Sequence, residues 1–338
     1  MKPENVEKIQ LGIFPTPLQE MKNLEEKIGV KNLYIKRDDM TDVGMSGNKI
    51  RKLEYLIKEA MGEGCDTLLT YGGPQTNHGR LVVASAVRCK MHSVLLLDGE
   101  RPAYASGNII LDEMMGADVR FIGDGDKEKL TQEIIDEYAA KGHKVYVIPV
   151  GGSNAVGALG YVNMVKELME QMKEMNIAPK YIVSACGSMG TFCGLWAGIK
   201  YYNAPFEVIP VAVNPKTTYR EDKAAALINE ISEKYELGFT CKPEELHLNF
   251  GRGNEIYAGV AYNTPDEQTQ EAMRVLASTE AIFTDPCYSG KTFHGYLDMV
   301  QNVLPKDSGV VFLHTGGVPA IWTKEHLDFA QNIYWNKK

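Results

Sequence analysis

Short apolar runs alternate with amphipathic helical stretches along nearly the whole chain, and no other feature constrains the fold as strongly. The runs at residues 33–36, 67–71, 93–97, 119–122, 145–149, 181–185, 208–213, 282–284 and 310–314 read as strands. The stretches at 127–140, 157–175, 217–235 and 266–278 read as helices, the last opening at Asp266 in a Thr-Pro-Asp-Glu run. A βαβα rhythm of this kind builds mainly parallel sheet with helices on both faces. No Pro/Gly/Ser-rich linker divides the 338 residues, which suits two interleaved α/β units sharing a cleft. In open α/β sheets, ligands bind beyond the carboxyl ends of strands. Function is therefore sought in glycine-rich loops that follow a strand and precede a helix.

Composition narrows the function classes. Lysine and arginine total 36 against 44 acidic residues, a net charge of −8, which argues against a general nucleic-acid binder. No apolar run approaches the roughly 20 residues that span a bilayer, and the charged first ten residues do not resemble the apolar core of a signal peptide. A cytoplasmic location is the expectation. Cys65, Cys89, Cys186, Cys193, Cys241 and Cys287 are scattered, with no CxxC pair and no Cys/His spacing suited to zinc. They read as small buried hydrophobes, and no metal site is expected.

Four glycine-bearing clusters stand out. Gly187-Ser188-Met189-Gly190-Thr191 follows an apolar run and opens a helical stretch. Its backbone N–H groups, its helix start and the Ser188 and Thr191 hydroxyls make a phosphate cup, although a plain βα turn has the same pattern. Lys49 follows a Gly-Asn turn, where partial desolvation would free its amine for Schiff-base chemistry. The bland alternative is a solvated lysine at a helix start, like Lys52 or Lys58. Gln75-Thr76-Asn77-His78 offers hydrogen-bonding groups to a carboxylate at a strand end, or simply caps a helix. His314-Thr315-Gly316-Gly317 also lies between a strand and a helix. Two rival phosphate motifs fail. Ser289-Gly290-Lys291-Thr292 resembles the end of a P-loop, but Asp285 stands where its first glycine belongs. No GxGxxG follows an early strand.

Taken in order, these clusters join Phe14-Pro15-Thr16-Pro17-Leu18, Ile35-Lys36-Arg37-Asp38-Asp39, Gly47-Asn48-Lys49 and Asp285-Pro286-Cys287-Tyr288-Ser289-Gly290-Lys291. Seven ordered motifs spanning nearly the whole chain resemble the D-cysteine desulfhydrase and 1-aminocyclopropane-1-carboxylate (ACC) deaminase family. These are pyridoxal-phosphate enzymes of the tryptophan-synthase β-like fold, fold type II. The resemblance implies two open, twisted, mainly parallel sheets with flanking helices. It implies a large cofactor-binding domain from residues 1–50 and 161–338, a small inserted domain at 51–160, and a homodimer.

It implies, too, that Lys49 carries pyridoxal 5′-phosphate as an internal aldimine and that Gly187, Ser188, Met189, Gly190 and Thr191 hold its phosphate. Asn77 would bond the phenolic oxygen, Tyr288 would stack near the ring, and a Ser289 or Thr315 hydroxyl would meet the pyridine nitrogen. Thr76, Asn77, His78 and Tyr262 would face a small amino-acid substrate, with Lys49, Thr76, Tyr262 and Tyr288 as the catalytic set. ACC deaminases typically carry Glu after the Tyr of the DPxY motif and Leu before the later Gly-Gly. This chain has Ser289 and Thr315, which resembles the desulfhydrase branch. A hydroxyl leaves the ring nitrogen largely neutral, which suits brief carbanions that expel a β-leaving group. The expected reaction is α,β-elimination of D-cysteine to pyruvate, sulfide and ammonia. ACC deamination, a related substrate such as cysteate, and a catalytically silent cofactor-binding module are the alternatives. Three positions depart from the family pattern: Thr76 for Ser, with a methyl added in the pocket, and Met189 and Asn263 each for Gly.

Overall fold

The computed structural model describes residues 1–214, 220–246, 248 and 257–336. Its strands, in chain order, are β1 (Leu18–Glu20), β2 (Leu33–Lys36), β3 (Thr67–Gly72), β4 (His92–Leu97), β5 (Asp118–Phe121), β6 (Val145–Ile148), β7 (Tyr181–Cys186), β8 (Glu207–Ala212) and β9 (Val310–Leu313). The longer helices are α1 (Lys22–Ile28), α2 (Ile50–Gly62), α3 (Asn77–Cys89), α4 (Asn108–Met114), α5 (Lys127–Ala140), α6 (Ala155–Glu174), α7 (Gly190–Tyr202), α8 (Glu221–Lys234), α9 (Glu267–Glu280), α10 (Ser289–Asp298) and α11 (Lys324–Ala330).

The strands form two sheets, as the family resemblance implies, and they are mainly parallel, as the alternating pattern implies. One has the order β1-β2-β9-β7-β8, and the other the order β5-β4-β3-β6. Every pairing is parallel except the short β1–β2 edge. Strands β2, β3 and β9 are buried along their whole length, so they read as continuous apolar runs rather than alternating ones. Eight of the predicted strands are present to within a residue or so at either end. The ninth, at 282–284, is not a strand. Its Phe283 carbonyl accepts a hydrogen bond from the His314 side chain at 2.9 Å instead of joining a ladder, a distinction that a short apolar run does not encode. Strand β1 was missed because three mostly exposed residues carry no apolar alternation. The helix predicted from 217 begins at Glu221, with residues 217–219 outside the described set.

All four strands of the second sheet lie between residues 67 and 148. One apolar cluster bridges both sheets, joining Leu68, Leu81 and Ile148 to Ala158, Phe192 and Ile228. We propose the division into a small unit at 51–160 and a large one from the remainder on the segregation of the strands.

Two devices set the frame. The first is a buried ion network on the Lys36-Arg37-Asp38-Asp39 motif. The Arg51 guanidinium forks onto Asp38 at 2.8 Å and onto Glu167 at 2.8 Å. Lys36 joins from β2, donating to Glu167, to the Thr16 carbonyl and to Gln171. Tyr161 donates to Asp38 at 2.6 Å. Paired charges with their hydrogen bonds filled are tolerated in the interior; Arg51 is held well above its ordinary pKa by Asp38 and Glu167 against the effect of burial. The network ties β2, α2 and α6 together directly behind Lys49.

The second device is close helix crossing at glycine. A Cβ on Gly160 of α6 would lie 2.3 Å from the Arg51 carbonyl oxygen of α2, and one on Gly194 of α7 would lie 2.5 Å from the Ala158 carbonyl oxygen of α6. Replacing Gly160 by Ala should therefore destabilise the fold by about 1–3 kcal/mol, despite the ~1 kcal/mol that alanine gains as a helix former. Denaturant unfolding measures this, and an unchanged or raised midpoint would contradict the crossing.

Candidate active site

The carboxyl ends of the parallel strands converge on a cavity of about 510 Å³. Its wall contains Lys49, Thr76, Asn77, His78, Gly187, Ser188, Met189, Thr191, Tyr262, Tyr288 and Thr315, residues drawn from widely separated parts of the chain. Gly190 and Ser289 are not in the wall. Asn48, Gly73, Asp98, Gly151 and Asn214 also line it and were not predicted.

Lys49 leaves a tight turn. Gly44, Met45, Ser46 and Gly47 all have positive φ, at 52°, 60°, 61° and 142°. A non-glycine residue in that region costs about 1–2 kcal/mol, so the turn needs outside support. Thr41 supplies some, its hydroxyl bonding both the N–H and the carbonyl of Gly47. Asn48 supplies more. Its backbone N–H donates to the Thr315 carbonyl at 3.1 Å, its amide donates to the Thr191 hydroxyl at 3.3 Å, and its Oδ1 accepts from Lys49 Nζ at 3.2 Å. One side chain thus joins the lysine turn to two other glycine clusters. Burial lowers the Lys49 pKa to about 8, because an ammonium loses more than an amine when water is removed.

Lys52 is not the solvated lysine expected. It is buried one turn along α2, with Nζ donating to the Gly151 carbonyl at 3.0 Å. Desolvation and the nearby Lys49 charge push its pKa well down. Its spacing from Lys49 was the available signal, since residues three apart share a helix face.

The cluster at 187–191 connects β7 to the start of α7, whose first N–H groups have no partner within the helix. Ser188 Oγ meets Ser153 Oγ at 2.7 Å, across from the other sheet. A Cβ on Gly190 would come within 2.5 Å of Ser153 Oγ, so this glycine is needed for close approach and sits behind the wall. Met189 has φ 62° and Asn263 φ 54°. Both departures from the family's glycines keep the left-handed backbone that glycine adopts without strain.

Thr76 caps α3, its hydroxyl accepting from Gly79 N at 3.1 Å; the hydroxyl proton remains to donate. The extra methyl, expected in the pocket, packs instead against Gly79, where an added Cβ would lie 2.5 Å from Thr76 Cγ2. Next to it, Asn77 Oδ1 accepts from Asn108 Nδ2 at 3.0 Å, which leaves the Asn77 Nδ2 end to donate. His78 Nε2 bonds Thr70 Oγ1 at 3.0 Å, and that hydroxyl donates to the Ile148 carbonyl at 2.8 Å. His78 is therefore the Nε2–H tautomer, and its Nδ1 lone pair is buried without a partner. Burial and the charges of Lys49 and Lys52 keep the ring neutral.

The Tyr262 and Tyr288 hydroxyls share a hydrogen bond, with ring centroids 5.7 Å apart and edge to face. Burial raises both phenols well above their ordinary pKa, so the pair is neutral and can pass a proton. Thr315 reaches the wall. Ser289 lies behind it, fully buried, with its hydroxyl bonded to Asp285 Oδ1 at 2.5 Å and to the Gly316 carbonyl at 3.0 Å. Asp285 itself accepts from the backbone N–H groups of Cys287, Tyr288 and Ser289. That motif builds the turn that presents Tyr288. The P-loop-like lysine that follows, Lys291, donates to the carbonyls of Ala258 and Ala261.

Among the described residues no cluster of His, Cys, Asp and Glu could hold a metal ion, and no helix is long and apolar enough to cross a membrane. An aldehyde cofactor with a phosphate tail fits the wall. An amine of lowered pKa sits on one side, and a glycine cup at a helix start lies nearby, with the buried Lys52 Nζ bonded to the Gly151 carbonyl.

Residues 9–316 match the family described as "Pyridoxal-phosphate dependent enzyme". A D-cysteine desulfhydrase of Salmonella newport is 35% identical over 322 residues, covering 93% of this chain and 95% of the relative. A Thermotoga maritima protein whose name assigns it provisionally as a 1-aminocyclopropane-1-carboxylate deaminase is 38% identical over 317 residues, covering 92% of this chain and 96% of the relative. A crystal structure of an ACC deaminase homologue superposes with a TM-score of 0.82 at 31% identity, covering 98% of this chain and 97% of that one.

The lowered Lys49 pKa has a direct readout. In cofactor-stripped protein, labelling of Lys49 by an amine reagent should rise with pH through a midpoint near 8, because the free amine is the reactive form. Peptide mapping across pH measures it. A midpoint near that of an ordinary lysine, about 10.4, would contradict the desolvated site.

Proposed function

The chain belongs to the pyridoxal-phosphate dependent enzyme family, and we propose that within it the protein is a lyase that eliminates the β-substituent of a small amino acid, with D-cysteine as substrate. The net reaction consumes water and yields pyruvate, hydrogen sulfide and ammonia. The observation that carries this reading is the gathering of Lys49, the 187–191 cup, Asn77 and the Tyr262–Tyr288 pair around one cavity.

Pyridoxal phosphate supplies a conjugated electron sink when bound. The chain's own groups do the rest. Lys49 would hold the cofactor through its amine, and the same amine would take the substrate's Cα proton. Ser188, Thr191 and the helix start would hold the phosphate. Asn77 Nδ2, whose amide oxygen is held by Asn108, would donate to the cofactor's phenolic oxygen. Thr76, with its free hydroxyl proton, and His78 border the place where the substrate carboxylate docks. The neutral Tyr262–Tyr288 pair would deliver a proton to the departing sulfur, so that it leaves as hydrogen sulfide rather than as a sulfide anion.

Within that wall the desulfhydrase reading is preferred over ACC deamination because the group available to the pyridine nitrogen is the Thr315 hydroxyl. Among the described lining residues Asp98 is the one acid, and it lies in an exposed turn directly after β4. An alcohol cannot hold the ring nitrogen protonated. The inward-packed Thr76 methyl leaves room for a small β-substituent.

Two measurements test the proposal. Lys49→Ala should abolish turnover and the visible absorbance of the pyridoxal-phosphate-loaded protein; retained turnover would overturn the assignment. In a panel of D- and L-cysteine, cysteate and ACC, D-cysteine should give sulfide and pyruvate with kcat/KM about a hundredfold above the others, the range that small-pocket discrimination reaches. Faster formation of 2-oxobutyrate from ACC would move the protein to the deaminase branch.

A further inference from the structure

Arg80 has no role in the wall, and yet it is among the most deeply buried charged groups of the chain, at 0% exposure. Its guanidinium is not hydrogen-bonded to a carboxylate. Nε donates to Asn108 Oδ1 at 2.8 Å, Nη1 donates to the Gly44 carbonyl, and Nη2 donates to the Ser46 carbonyl at 3.3 Å. The nearest acid on α4, Asp112, has both carboxylate oxygens buried without a hydrogen-bond partner. Burying an arginine without a bonded acid is unfavourable unless its donors are otherwise filled.

The three acceptors explain the placement. Gly44 and Ser46 are the first and third residues of the left-handed turn that leads into Asn48 and Lys49. The Arg80 fork grips both of their carbonyls, which supplies the outside support that Met45 and Ser46 need at positive φ. The third acceptor, Asn108, opens α4. Because its Oδ1 is taken by Arg80, its Nδ2 must point the other way, where it donates to the Gln75 carbonyl at 2.9 Å and to Asn77 Oδ1 at 3.0 Å. Asn108 N also donates to Gln75 Oε1 at 2.8 Å. An amide has one acceptor end and one donor end. Fixing the orientation of Asn108 therefore fixes that of Asn77.

We infer that Arg80 and Asn108 form a positioning unit that holds the Lys49 turn with one arm and sets the donor face of Asn77 toward the cofactor with the other. The inference rests on the cofactor reading given under Proposed function. Neither residue touches the cavity. Removal of Asn108 Nδ2 lets the Asn77 amide rotate and present its oxygen to the cofactor's phenolic oxygen, which repels it. Loss of the Arg80 fork releases the turn that carries the lysine.

The experiment uses pyridoxal-phosphate-loaded protein and four variants, Asn108→Asp, Asn77→Ala, the two combined, and Arg80→Lys. Asn108→Asp keeps the volume and the acceptor for Arg80 while deleting the Nδ2 donor. Readouts are kcat, the visible absorbance band with its pH midpoint, and the melting temperature. Asn108→Asp and Asn77→Ala should each lower kcat by about tenfold, the scale at which residues behind a site act, and both should move the band. The combined variant should match Asn77→Ala within about twofold, since residues acting through one another do not add. Arg80→Lys keeps the charge but not the fork; it should slow reloading of stripped protein with pyridoxal phosphate by about tenfold. An unshifted band in Asn108→Asp, multiplied losses in the combined variant, or unaltered reloading in Arg80→Lys would overturn the inference. A variant that fails to load because it unfolds is recognised by its melting curve, and Asn77→Ala with Arg80→Lys then decides by band and reloading rate. If the unaltered protein itself shows no visible band on loading, the reading under Proposed function fails instead.

Discussion

Keeping one lysine amine out of bulk water, while leaving it open to a cavity, is the constraint on which the rest of the structure turns. A solvated Lys49 would be almost entirely an ammonium at neutral pH and inert toward an aldehyde. Burial at the end of a tight turn lowers its pKa to about 8. The same burial requires that no carboxylate lie close enough to restore the charge. The acids nearby are engaged elsewhere: Asp38 and Glu167 by Arg51 and Lys36, and Asp285 by three backbone N–H groups and Ser289.

A dry amine needs neighbours at close range, and the backbone supplies them where side chains are absent. A Cβ on Gly316 would lie 2.9 Å from Gly47 Cα, and one on Gly317 would lie 2.7 Å from Asn77 Nδ2 and 2.6 Å from the Asp285 carboxyl carbon. These two glycines let the lysine turn, the Asn77 helix and the Asp285 turn converge. Asn48 then stitches the same turn to the Thr191 and Thr315 loops. Sequence motifs that look like independent ligand grips are in large part the means by which loops are brought together. Lys36-Arg37-Asp38-Asp39 is an ion network, and Asp285 with Ser289 is a turn.

Much of this was legible in the residues. Continuous apolar runs mark buried parallel strands, so eight strands follow from the residue pattern and their division into two sheets from the family resemblance, while the three-residue β1 edge and the irregular 282–284 segment follow from neither. The glycine clusters at strand ends pointed to the cavity wall, and eleven of the predicted site residues line it. What escaped was whatever depends on long-range geometry. Lys52 reads as a surface lysine until α6 and the turn at Gly151 cover it. Gly190 and Ser289 sit in the right motifs yet face away from the cavity. Arg80, Asn108 and Asn77 form a relay that no local spacing announces, since its links join residues 28 and 31 positions apart. Met189 and Asn263, which stand where the family pattern has glycine, occupy left-handed backbone positions.

The most direct measurement is chemical. Protein loaded with pyridoxal phosphate, reduced with borohydride and digested, carries a stable mark on whichever amine held the aldehyde. A single phosphopyridoxyl adduct on Lys49 is the expected outcome. An adduct on Lys52 or another lysine, or none at all, would contradict the placement of the reacting amine.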